Sequence, residues 1–132
     1  MPIHQEAIID AMPEQIYAVL TDGAKFAAAT GMPAELSERE GEAFTLFGGR
    51  VEGRQVELVP RRRVVQAWRF GGAHPETWDA GVYSIVRFTL IADGDATKFV
   101  IDHDGIPSHA VERIETGYPA FYQGPLAEYF AG

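Results

Sequence analysis

An α+β fold follows from two features of the chain. Hydrophobic residues alternate with period two between about residues 34 and 104, and they recur at spacings of three and four at both ends. Clusters of glycine, proline and aspartate punctuate the alternating runs closely enough to join neighbours as antiparallel hairpins. The expected architecture is one antiparallel meander with its helices supplied by the two ends of the sequence. All 132 residues are assigned to a single domain (1–132), because no repeat, low-complexity tract or linker interrupts them. A chain of this length buries roughly two thirds of the surface its unfolded form exposes, which is enough for one core.

Ile3 to Ile9 is short and mixed and fits an edge strand. Asp10 to Leu20 then opens a helix, with Pro13 in the first turn, acidic Glu14 beside it, and Ile16, Val19 and Leu20 on one face. A second helical stretch through Lys25, Phe26 and three alanines ends at Gly31 and Pro33. Strands are expected over Ala34 to Ser37, Ala43 to Phe47, Val51 to Val59, Arg63 to Phe70, Val82 to Ala92 and Thr97 to Asp104. Their turns fall at Arg39-Glu40-Gly41, Gly48-Gly49, Pro60-Arg61 and Asp93-Gly94-Asp95. From Ser108 to Phe130 the period returns to three and four through Val111, Ile114, Tyr118, Phe121, Tyr122, Leu126 and Tyr129, which predicts one long helix with a mostly aromatic face. Pro119 and Pro125 lie inside that pattern, and each removes a backbone donor and kinks the helix.

Composition narrows the function. A net charge of −8 argues against nucleic acid, whose binders draw their affinity from clustered lysine and arginine. Arg61, Arg62 and Arg63 form the one basic cluster, and a solvated turn is their plainest role. The absence of cysteine excludes disulfides, thiolate metal sites and cysteine nucleophiles. No run approaches the roughly 20 apolar residues of a membrane span, and the first residues lack a signal-peptide pattern, so no membrane partner and a cytoplasmic location are expected. His4, His74 and His109 show no metal-ligand spacing, and Ser84 and Ser108 sit in no nucleophile elbow. No metal or cofactor is called for.

Several stretches resemble one family. They are Val56-Glu57-Leu58-Val59-Pro60-Arg61-Arg62-Arg63-Val64-Val65, Trp68-Arg69, Val86-Arg87-Phe88-Thr89-Leu90, His103-Asp104-Gly105, and Gly117-Tyr118 followed by Gly124-Pro125-Leu126-Ala127-Glu128-Tyr129-Phe130. In this order and spacing, over nearly the whole chain, they resemble the heat-shock-protein-90 ATPase activator homologues of the START-like, or SRPBCC, superfamily. The resemblance implies the helix-grip (birch-pollen-allergen-like) fold: a seven-stranded antiparallel sheet wrapped around a long C-terminal helix, with two short helices after the first strand. Where that family usually has Trp after the helix glycine, this chain has Tyr118. The family's ATPase-activating co-chaperones carry a separate N-terminal domain. For this chain the resemblance therefore implies the superfamily's habit of holding an apolar small molecule between sheet and helix.

Strand alternation predicts which side chains face such a chamber. Phe44 and Leu46 share one face, as do Gln66 and Trp68, Val86 and Phe88, and Phe99, Ile101 and His103. The helix adds Tyr118, Phe121 and Tyr122, and the loop GGAHPETWDA adds Trp78 as a rim residue, a lid contact or simple packing. Taken singly, most of these residues read as core; as a set they resemble an apolar site with a few polar points. The expected partner is a hydrophobic or amphipathic small molecule. His103, between Asp102 and Asp104, also suits a general base, which leaves open a cyclase- or hydrolase-like enzyme with Tyr83, Tyr118 or Tyr122 as helpers. Alternation turns the two carboxylates away from the ring, so a hydrogen-bonded histidine near a cavity mouth is the favoured role. A protein-interaction module, including a homodimer formed through outward Val65 and Ala67, is the third class.

Overall fold

The computed structural model describes residues 2–131. Strand β1 (Ile3–Ile9) is followed by helices α1 (Pro13–Thr21) and α2 (Gly23–Thr30). Six strands come next: β2 (Ala34–Glu35), β3 (Ala43–Leu46), β4 (Val51–Val59), β5 (Arg63–Phe70), β6 (Ser84–Asp93) and β7 (Ala96–Asp104). The chain closes with helices α3 (Val111–Tyr118) and α4 (Gly124–Ala131), joined by one wide helical turn, Pro119–Gln123. The strands form one sheet in the order β1-β7-β6-β5-β4-β3-β2, antiparallel throughout, so β2 to β7 is a meander and β1 returns to its far edge. This is the helix-grip arrangement expected from the sequence.

The helix ends follow local chemistry. Pro13 begins α1, and the Gln15 side chain accepts the Met12 N–H at 2.8 Å. Asp22 caps α2 through Oδ1, which accepts from Ala24 and Lys25 N–H. Gly31 ends α2 at φ 75°, where its N–H reaches the Ala27 carbonyl. The expected third strand, Ala43 to Phe47, loses its last residue. Phe47 adopts φ 57° and starts the turn to β4, a conformation rare for a large side chain. Its ring repays the strain by packing on Phe26, Phe121 and Tyr122, with centroids 5.4–6.3 Å apart.

The inner faces of β5 to β7 alternate as predicted, with Val64, Gln66, Trp68 and Phe70 buried on β5, Val86, Phe88 and Leu90 on β6, and Phe99, Ile101 and His103 on β7. An extra residue in β4 between Gln55 and Glu57 breaks the register with β5 and bends the strand, which helps the sheet curl. Tyr118, Tyr122 and Leu126 of the C-terminal helix lie buried in its concave side. In a regular helix, positions four apart drift by about 40° per step, so three of them would leave one face. The wide turn takes back part of that drift; the Gly124 N–H bonds to the Pro119 carbonyl five residues earlier. Proline placement accounts for its position. Pro119 has no N–H for the Glu115 carbonyl, and Gln5 of β1 supplies one at 2.9 Å from its side-chain amide. The same Gln5 accepts from the Gln123 amide at 2.7 Å, which ties both halves of the helix to the edge strand.

Candidate functional site

His103 is fully buried in the concave face, and both of its ring nitrogens are engaged. Nε2 lies 2.7 Å from Ser84 Oγ and Nδ1 lies 2.6 Å from the Tyr118 hydroxyl. Ser84 donates its own proton to the Trp68 carbonyl at 3.3 Å, so Nε2 carries the ring hydrogen and Nδ1 accepts from Tyr118. Burial pushes the His103 pKa down to about 3 and raises that of Tyr118, so the ring is neutral and the phenol protonated at neutral pH. A second buried chain runs beside it. Trp68 Nε1 donates to Gln66 at 2.8 Å, Gln66 to Gln55 at 3.1 Å, and Gln55 to the Ser37 carbonyl at 3.0 Å. These polar groups satisfy one another, which holds Trp68 and Tyr118 in fixed orientations, their rings 6.0 Å apart.

Tyr118 and Trp68 form the inner wall of a half-open cleft of about 180 Å³ between one end of strands β4 and β5 and the C-terminal helix. Phe47, Phe70, Ile114, Gly117, Phe121 and Tyr122 contribute to a mostly apolar lining. Phe121, at the opening, is 43% exposed. Three polar side chains stand among the lining residues: Arg50, Arg113 and His74. Arg113 of α3 grips Glu76 of the β5–β6 loop through two contacts of 3.2 Å, which joins helix to loop. His74 stacks on Phe70 at 3.8 Å, and its Nδ1 accepts the Glu76 N–H at 2.9 Å. Desolvation and the nearby arginines lower its pKa, so this ring too is neutral.

The sequence profile of the Activator of Hsp90 ATPase homolog 1-like proteins (AHSA1) matches residues 10–131. The chain belongs to this family. The human activator of 90 kDa heat shock protein ATPase homolog 1 is 31% identical over 110 residues, which is 83% of this chain and 31% of that protein. An uncharacterized Schizosaccharomyces pombe protein is 28% identical over 97% of this chain and 37% of its own length. The chain thus spans about a third of the curated relatives it matches. Among solved structures, an HSP90 activator from Plasmodium falciparum superposes with a TM-score of 0.88 at 22% identity, covering 99% of this chain and 96% of that one. The Aha1 dimer from Colwellia psychrerythraea gives 0.77 at 20% identity over 100% and 98% of the two chains. CalU16 from Micromonospora echinospora gives 0.79 at 19% identity over 98% and 76%.

In this AHSA1-type fold the expected lining residues divide. Trp68, Tyr118, Phe121 and Tyr122 lie on the cleft. Phe44, Leu46, Val86, Phe88, Phe99 and Ile101 lie behind it as solid core, because the helix presses its aromatic stripe onto the sheet. Phe88, for example, is stacked between Phe99 at 5.7 Å and Tyr122 at 5.3 Å. Gln66 and His103 serve the two hydrogen-bonded chains described above. Trp78 is buried against Phe70 at 5.0 Å, and its carbonyl accepts from Arg69, which pins the loop. Tyr83 is exposed, away from His103, and Asp102 points outward to His4 and Arg87. The enclosed chamber expected across the sheet is thus a cleft at one end of β4 and β5. Sequence reasoning did not assign Met32, Phe47, Arg50, Val51, His74, Arg113, Ile114 or Gly117 to it. Ile114 and Gly117 were within reach, since they precede Tyr118 and Phe121 at helical spacings; Phe47 was not, because its placement depends on the left-handed turn.

Proposed function

We propose that this protein binds a small apolar molecule carrying an aromatic ring in the cleft between the C-terminal helix and the sheet. The observation that carries the reading is an open apolar cleft of about 180 Å³ whose wall rings are oriented by a satisfied buried network. An engineered apolar cavity of about 150 Å³ accepts benzene, so the volume suits one ring or a fused pair and not a lipid. Burying roughly 150–250 Å² of aromatic surface at ~25 cal/mol per Å² gives about 4–6 kcal/mol. That corresponds to dissociation constants from about 1 mM to tens of micromolar. The enzyme alternative fares worse, because a general base needs a nitrogen facing its substrate and both of those on His103 are occupied.

The test is a titration with naphthalene-sized neutral aromatics, followed by amide NMR, of the wild type and Gly117→Leu. Gly117 lines the cleft, and a Cβ there meets only the Phe121 ring, at 3.7 Å. A leucine therefore fills the cleft without backbone strain. Saturable shifts at Gly49 and Gly117 in the wild type, with binding lost in the folded variant, are expected; unchanged binding in the variant contradicts the reading.

Self-association is a second reading, favoured by exposed Ile85 and Ile91 on the outer side of β6 and by the dimeric Colwellia neighbour. Sedimentation at micromolar concentration distinguishes a dimer from a monomer. The ATPase activation in the human relative's name belongs to a protein about three times longer, and an Hsp90 ATPase assay with this protein added tests it separately.

A further inference from the structure

The polar groups at the cleft mouth are all nitrogen donors, in a protein whose net charge is −8. Arg113 is held in place by its paired contacts with Glu76. Arg50, the last residue of the β3–β4 turn, is exposed and has no carboxylate partner among the described residues. His74 accepts at Nδ1, so its remaining hydrogen is on Nε2, and the ring adds a neutral donor beside the two guanidinium groups. Apolar walls ending in a free arginine match a ligand that is aromatic at one end and a planar anion at the other, since a guanidinium binds a carboxylate through two parallel hydrogen bonds.

We infer that the cleft selects aromatic carboxylates, with the ring against Trp68 and Phe121 and the carboxylate on Arg50. This rests on the ligand-binding reading above and specifies its chemistry. Arg50 is the specificity-determining residue; Arg113, already paired, positions the loop that carries His74. Neutral aromatics of the same shape enter the cleft but lack the second contact.

The experiment compares 2-naphthoate with 2-naphthylmethanol, which differ in charge but little in shape, by amide NMR titration of the full chain. Wild type, Arg50→Gln and Gly117→Leu are titrated, with Arg61→Gln as a control, because the β4–β5 turn lies at the opposite end of the strands. Wild type is expected to bind the carboxylate roughly three- to tenfold more tightly than the alcohol. Arg50→Gln is expected to abolish that preference, while Arg61→Gln keeps it. Equal affinities in the wild type, with both ligands blocked by Gly117→Leu, overturn the anion selectivity and leave the cleft as a neutral site. Equal losses in Arg50→Gln and Arg61→Gln overturn it as well, by reducing it to overall charge. Shifts for neither ligand overturn both the selectivity and the binding reading.

Discussion

Replacing His103 by glutamine separates the buried ring's titration from its hydrogen bonding. In the folded protein the ring stays neutral down to about pH 3, while in the unfolded chain it takes up a proton near its ordinary 6.5. The folded pKa is depressed, so the contribution is fully present above pH 6.5 and is lost as the pH falls toward 3. Each pH unit across that window removes about 1.4 kcal/mol of stability. Between about pH 7 and about pH 4.5 the wild type therefore loses about 2.7 kcal/mol that the His103→Gln variant does not lose. At neutral pH the variant is expected to be less stable by about 1–3 kcal/mol, because Ser84 and Tyr118 lose well-placed partners. The two effects nearly cancel in acid, so the stability gap should close by about pH 4.5. Urea unfolding of both proteins at several pH values, followed by circular dichroism, measures this directly. A gap independent of pH refutes the argument. So does a wild-type ring whose nitrogen resonances titrate near pH 6.5 in the folded state, a measurement that needs no variant.

Three further outcomes follow from the same geometry. Tyr118→Phe removes the donor to His103 Nδ1, and it should cost about 1–3 kcal/mol in urea unfolding. Gly124→Ala places a Cβ 2.7 Å from the Pro119 carbonyl, so the wide turn must shift; a loss of about 1–3 kcal/mol is expected, whereas Gly117→Ala should be neutral or stabilising. His4 is exposed on the outer face between Asp102 and Glu6, at 2.5 and 2.8 Å, and these carboxylates raise its pKa. Its contribution is present below pH 6.5 and disappears as the pH rises through the raised value, so His4→Gln should lower Tm in mild acid more than in mild alkali.

Most of the fold was legible because period two and period 3.6 leave different marks, and because the turn residues stand where the strands end. Val86, Phe88, Phe99 and Ile101 were assigned to the inner face by alternation alone, and all are buried. Alternation says which face a residue takes and nothing about how deeply the opposite layer presses on it. The strand residues were therefore assigned to a chamber that the aromatic helix face fills. Where the space stays open depends on long-range geometry: the left-handed turn at Phe47, the helix-to-loop pair Arg113–Glu76, and Gly117 leaving a gap beside Phe121. The pairing of His103 with Ser84 and Tyr118 was similarly out of reach, because it joins two strands and a helix. The wide turn was legible only in part. Interior prolines predicted an interruption, but its form depends on Gly124 approaching the Pro119 carbonyl and on Gln5 reaching over from β1.

Native mass spectrometry of the wild type and Gly117→Leu, each purified from the protein's own host, bears most directly on the cleft as a binding site. One small aromatic molecule per wild-type chain, absent from the folded Gly117→Leu protein, is the predicted result. The same ligand retained at equal occupancy in both proteins would contradict the account.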